Sequence, residues 1–279
     1  MVRNYDASRQ SLYQPGAATD FFEHGIPPTE VALCAEMSRL AYVKEPARLE
    51  TYLARAGFAL QQTLGYGTGG TQVFMATATD ASGQETLLVA FRGTEGDDWD
   101  DLQTDANCRM VAWQAGMGKV HAGFAAALQD NGVLDVVRDY VASKPAARVL
   151  LTGHSLGAAL ATLAASIIHP AYLYTFGCPR VGDKVFAEAL RSVRHQRYVD
   201  CCDLVTDVPP EWLGYVHVGE LHYIARNGQV LDSPDAALIA HDRRQATLAY
   251  WLHYALLPHN VWVRRLADHA PINYVTALR

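Results

Sequence analysis

The chain has 279 residues, half of them hydrophobic, enough for one large α/β domain or two small ones with a sizeable core. A formal net charge of −6 and the lack of any basic cluster exclude nucleic acid as the expected partner. The five cysteines (Cys34, Cys108, Cys178, Cys201, Cys202) are odd in number, scattered and without a C-x-x-C spacing, so they read as reduced, mostly buried thiols rather than metal ligands.

Residues 1–25 read as a polar arm, and Met1 to Thr19 lack the apolar stretch of a secretory signal. Pro27-Pro28-Thr29-Glu30 opens a helix whose Val31, Cys34, Met37 and Ala41 recur at helical spacing. A second helix is predicted over Pro46 to Ala56, stopped by Gly57. Three strand-like runs follow, Phe58 to Tyr66, Thr71 to Thr79 and Thr86 to Arg92, parted by glycine-rich turns as in a meander. Leu87 to Phe91 is continuously apolar, as expected of a strand covered on both faces. An irregular acidic segment runs from Gly93 to Val120. Beyond it helix and strand alternate: helix 123–142 with a break near Asn131-Gly132, strand 147–152, helix 158–168, strand 171–176, helix 183–193, strand 196–199. That alternation predicts a mostly parallel sheet with helices on both faces. Residues 215–218, 221–225 and 229–231 read as short antiparallel strands, Arg243 to Leu257 as a helix, and 258–279 as a tail without a clear element. No inter-domain linker is visible, so one domain is expected over 26–279. The densest apolar stretch, Leu156 to Ile168, falls short of the about 20 residues needed to cross a bilayer.

The chemistry centres on Gly153-His154-Ser155-Leu156-Gly157. A G-x-S-x-G pentapeptide between a buried strand and a helix is the sharp turn that lifts a nucleophilic serine out of a sheet. A serine hydroxyl is a poor nucleophile at neutral pH and needs a histidine base held in one tautomer by a carboxylate. On this fold the order is serine, acid, histidine. Asp200, Asp203 and Asp207 all qualify as the acid by position, and His241, His253, His259 and His269 as the base. His269 sits in a loop context; the other three lie in or beside a helix. His154 is read as a packing residue whose ring points away from the hydroxyl.

Several short motifs, in order, resemble the class 3, fungal-type lipases of the α/β-hydrolase fold. They are Phe91-Arg92-Gly93-Thr94, Trp99 with Asp101-Leu102, His121-Ala122-Gly123-Phe124, the serine pentapeptide, Phe176 to Gly182, Asp203-Leu204-Val205 before Pro209-Pro210, and Asp268-His269 with Tyr274. The resemblance implies Ser155 as nucleophile, Asp203 as acid and His269 as base, with an oxyanion hole from Thr94 and the Leu156 N–H. It departs at Ala158, where the family usually carries a second glycine, and at Thr206, where proline is common. The resemblance makes the segment 95–119 lid-like, but Glu95, Asp97, Asp98, Asp100, Asp101 and Asp105 place six acids and no base within eleven residues of it. Such a flap suits neutral glycerides or soluble esters better than anionic bilayers.

The expected activity is therefore ester hydrolysis, foremost of acylglycerols, with phospholipase A1 or soluble-ester cleavage as alternatives and a non-catalytic interaction module as the contrasting class. The expected partners are a lipid or small ester and, transiently, a lipid interface. No cofactor or metal is implied. A histidine base predicts that activity falls below about pH 6.

Overall fold

The computed structural model describes residues 4–25, 29–67, 70–93, 108–168 and 171–279. In chain order the helices are α1 (Arg9–Tyr13), α2 (Glu30–Leu40), α3 (Pro46–Arg55), α4 (Ala122–Gln129), α5 (Val133–Ala142), α6 (Leu156–Ala165), α7 (Lys184–Ala189), α8 (Ala236–His253), α9 (Arg264–Ala267) and α10 (Pro271–Leu278). The strands are β1 (Ala59–Leu64), β2 (Val73–Thr79), β3 (Glu85–Phe91), β4 (Met110–Ala112), β5 (Lys119–His121), β6 (Arg148–His154), β7 (Tyr172–Phe176), β8 (Arg194–Asp200), β9 (Glu220–Ile224) and β10 (Val230–Asp232).

Eight strands form one sheet in the order β1-β2-β3-β6-β7-β8-β9-β10, and β4 and β5 form a separate hairpin. The predicted meander is β1-β2-β3, paired antiparallel; from β3 to β9 every neighbouring pair is parallel. Period-two alternation sorts the apolar side chains into two cores. Val73, Met75, Leu87, Val89, Phe91, Val149 and Leu151 face α4, α5 and α6. Phe74, Ala76, Leu88, Ala90 and Leu150 face the other way, onto Met37 and Leu40 of α2, Leu49 and Leu53 of α3 and Tyr274 of α10.

Local signals explain most element starts. Thr29 caps α2 by accepting from the Ala32 N–H, and Pro46 occupies the first turn of α3, where its missing N–H costs nothing. The break between α4 and α5 falls at Asn131, in the left-handed region, as the Asn-Gly pair indicated.

Three expectations fail. β9 pairs parallel with β8, not antiparallel, and only β10 runs against it. Residues 215–218 supply a single bridge, Val216 to Gly182, in place of a strand. The tail expected to be featureless folds into α9 and α10. The polar arm also packs: Ala7 and Leu12 are buried with Tyr250, Val261 and Ala267 in a small core of their own.

Candidate active site

The site lies at the carboxyl ends of the parallel strands, where α/β sheets place their ligands. β6 ends at His154 and α6 begins at Leu156, so Ser155 alone makes the turn, with φ 60° and ψ −129°. A positive φ in a non-glycine residue stores about 1–3 kcal/mol and persists only when the surroundings over-determine it. Here they do. A Cβ on Gly153 would lie 2.3 Å from the Gly157 carbonyl, and a Cβ on Gly157 would lie 2.1 Å from the Phe91 oxygen at the end of β3. The two glycines of the pentapeptide are thus fixed by close approach of backbone to backbone. Ser155 is fully buried among the described residues, and its Oγ has no hydrogen-bond partner among them.

Of the candidate acids and bases, the structure brings Asp203 and His269 together. His269 Nδ1 lies 2.7 and 2.8 Å from the two carboxylate oxygens of Asp203, and both side chains are buried. The acid is fixed by two further donors, the Val205 N–H at 2.9 Å and the Tyr274 hydroxyl at 2.5 Å. Tyr274 in turn accepts from the Asp200 N–H at 3.0 Å, and burial together with the nearby acids raises its pKa well above the usual value, so it stays a donor. Gly177, at φ 59°, lets this pair in: a Cβ there would meet Asp203 Oδ2 at 2.7 Å and His269 Cε1 at 2.9 Å.

The other candidates go elsewhere. Asp207 pairs with Arg265 at 2.7 Å and Arg243 at 3.3 Å, tying the loop after the acid to α8 and α9. The Asp200 backbone supports Tyr274. His241, His253 and His259 are exposed. Thr94 falls outside the described residues, as does the acidic run 95–105. The residue before it, Gly93, stands against the serine turn, since a Cβ there would come within 3.1 Å of Ser155 Cβ. The Leu156 N–H opens α6 beside Ser155, at the positive end of the helix dipole.

Sequence reasoning missed the role of His154. Its Nε2 lies 2.8 Å from the His269 carbonyl oxygen and its Nδ1 lies 2.9 Å from the Tyr42 hydroxyl. A carbonyl only accepts, so Nε2 carries the proton and Nδ1 accepts from Tyr42. The residue before Ser155 thereby holds the main chain of the residue paired with Asp203, and the two imidazole rings sit 4.4 Å apart. Tyr42 lies two residues past the end of α2, far away in sequence, and no local pattern marks it. Asp268, beside His269, is a brace: it accepts from Arg264 Nε at 3.0 Å, the Cys202 N–H at 2.9 Å and the Tyr5 hydroxyl at 2.6 Å.

Burial, reinforced by His269, depresses the His154 pKa well below its ordinary value, and burial with Arg197 nearby takes His195 to about 3. Both are neutral when folded and charge only after unfolding. Their contribution to stability is therefore complete above the unfolded value of about 6.5 and is lost as the pH falls below it, at up to about 1.4 kcal/mol per histidine per pH unit. The urea midpoint is expected to be markedly lower at pH 5 than at pH 7.5; an unchanged midpoint would show that these histidines do not stay neutral in the fold.

The sheet order and the serine turn define an α/β-hydrolase fold. Residues 88–212 match the family model described as lipase (class 3). The lipase of Rhizopus niveus is 33% identical over 150 residues, 49% of this chain and 38% of its own length. The lipase of Rhizomucor miehei is 32% identical over 177 residues, 57% of this chain and 48% of its own length. Among solved structures, a lipase from Rhizopus microsporus var. chinensis superposes with a TM-score of 0.56 at 26% identity, covering 80% of this chain and 83% of that one. The central stretch of the chain, residues 88–212, is thus similar to the class 3 lipases. The matched stretch spans less than half the length of these two curated relatives.

Proposed function

We propose that the protein is a serine hydrolase of carboxylic esters that acts on acylglycerols. The observation that supports this reading is the buried Asp203–His269 pair together with a strained Ser155 whose Oγ has no partner among the described residues, in a chain whose residues 88–212 match the class 3 lipase model. In the proposed reaction Ser155 Oγ attacks the ester carbonyl carbon and its proton passes to His269 Nε2. Asp203 holds Nδ1–H and stabilises the imidazolium. The Leu156 N–H and Thr94 receive the negative charge that develops on the carbonyl oxygen. His269 returns the proton to the departing alcohol, leaving an acyl-Ser155 that water cleaves by the same route. Residues 26–279 act as one domain, with 1–25 as an arm and 95–119 as a lid-like segment.

The test is a panel on the purified protein: emulsified triacylglycerol, monoacylglycerol, phosphatidylcholine and p-nitrophenyl esters, followed by fatty-acid titration, with fluorophosphonate labelling mapped by peptide mass spectrometry. Acylglycerol cleavage and label on Ser155 are expected. Exclusive cleavage of phospholipid or of soluble esters would replace the substrate class, and absence of both label and turnover would overturn the enzymatic reading.

A further inference from the structure

The most exposed apolar surface of the described residues is not at the serine turn. It is formed by the end of α8 and the segment that follows. Trp251 is 63% exposed, Leu252 71%, Leu256 83% and Trp262 73%, with Leu248, Leu257 and Val263 also exposed. Monomeric soluble proteins rarely keep so many large apolar groups together in water. The outward orientation is imposed by packing. Tyr250, Ala255 and Val261, interleaved with the exposed residues, are buried against Ala7 and Leu12 of the N-terminal arm. The arm is held by backbone bonds from Arg9 N–H to the His259 oxygen and from Val261 N–H to the Ala7 oxygen. On α8, Leu248, Trp251 and Leu252 follow the i, i+3, i+4 spacing of one helix face, but it is a face turned to solvent.

Two further observations indicate what covers it. From Leu248 to Val263 the chain carries no acid, and of the arginines around it Arg243, Arg264 and Arg265 are already paired with Asp207 and Asp268, so the face itself is uncharged. This stretch therefore offers nothing to repel phosphate-bearing headgroups, and tryptophan is a residue that settles at their level. The segment is also continuous with the loops of the candidate site. Arg265 lies two residues after Val263, its carbonyl accepts from the Leu204 N–H next to Asp203, and its guanidinium pairs with Asp207. His269 lies seven residues after Trp262.

We infer that this face, Leu248 to Val263, docks the protein on a phospholipid surface. The inference rests on the proposed lipid-ester activity for its purpose, and it adds a docking surface outside the serine turn and outside the acidic segment 95–119. It is tested by flotation of the purified full chain with phosphatidylcholine vesicles. The wild type is expected to float with the vesicles, and a Trp251→Ser/Leu252→Ser/Trp262→Ser variant to partition about tenfold more weakly or worse, since each lost side chain removes a large apolar area. Its melting temperature and its turnover of soluble p-nitrophenyl acetate should match the wild type. A Leu256→Ser/Leu257→Ser variant gives the same readout should the triple variant fail to fold. A wild type that does not float, or variants that float equally well, would overturn the inference. So would a wild-type dimer in sedimentation that the variants dissolve, because the face would then serve a second copy of the chain. Loss of soluble-ester turnover in the wild type would count against the proposed activity alone, because flotation is read independently of it.

Discussion

Ser155→Ala is expected to lower ester turnover by about 10⁵–10⁶-fold while leaving the fold intact. In the proposed mechanism Oγ is the atom that forms the covalent bond, and the pentapeptide Gly153 to Gly157 carries no second hydroxyl. Removing it disturbs little else. Its loss breaks no hydrogen bond to the described residues, the positive φ is imposed by the backbone around Gly153 and Gly157, and alanine fits where serine did. What survives is the oxyanion environment, so a small residual rate over water is expected. The measurement is p-nitrophenyl butyrate hydrolysis with the melting temperature recorded in parallel. Turnover within tenfold of the wild type would place the nucleophile elsewhere; lost turnover with a collapsed melting temperature would report on folding and not on chemistry.

The serine turn was legible because its cause is local. Two glycines, a buried strand before and a helix after are all within twenty residues, and the steric contacts later found at Gly153 and Gly157 are what that pattern encodes. The two faces of the sheet were legible for the same reason, as a period of two. The acid and the base were not separable on local grounds. Asp200 ends β8 and Asp203 and Asp207 follow within seven residues, and only the return of the chain through α9 decides which of them meets His269; the family resemblance, not the residues alone, singled them out. The parallel pairing of β9 depends on a neighbour more than twenty residues away and leaves no trace in its own five residues. The last helix, Pro271–Leu278, did have a signal, proline in its first turn, but eight residues that include Ile272, Val275 and Thr276 carry little helical propensity. The start of α8 at Ala236 was equally marked by Asp235, whose side chain caps the Leu238 N–H. Tyr42 and Tyr5 reach the site from over a hundred residues away, and nothing nearby announces them.

Asp203→Asn is expected to lower kcat by about 10⁴-fold with little change in KM. The carboxylate of Asp203 receives donors only: His269 Nδ1–H, the Tyr274 hydroxyl and the Val205 N–H. Tyr274 cannot readily reverse its role, since its oxygen already accepts from the Asp200 N–H. An asparagine in this place keeps one acceptor and turns the other into an NH₂. If the NH₂ faces Tyr274, two donors meet at a buried site and the loop pays an unsatisfied polar group, about 1–3 kcal/mol. If it faces His269, the imidazole must accept at Nδ1, its proton moves to Nε2, and that nitrogen can no longer take the proton of Ser155. The second orientation loses the base without moving the serine, and the clash of donors at Tyr274 disfavours the first, which would keep the tautomer. The tautomer distinguishes this from a general loosening: nitrogen NMR of His269 should show the proton shifted from Nδ1 to Nε2 in the variant that retains the wild-type melting temperature. A variant with unchanged tautomer and near-normal kcat would mean that Asp203 only supports the loop and that another group orients the base.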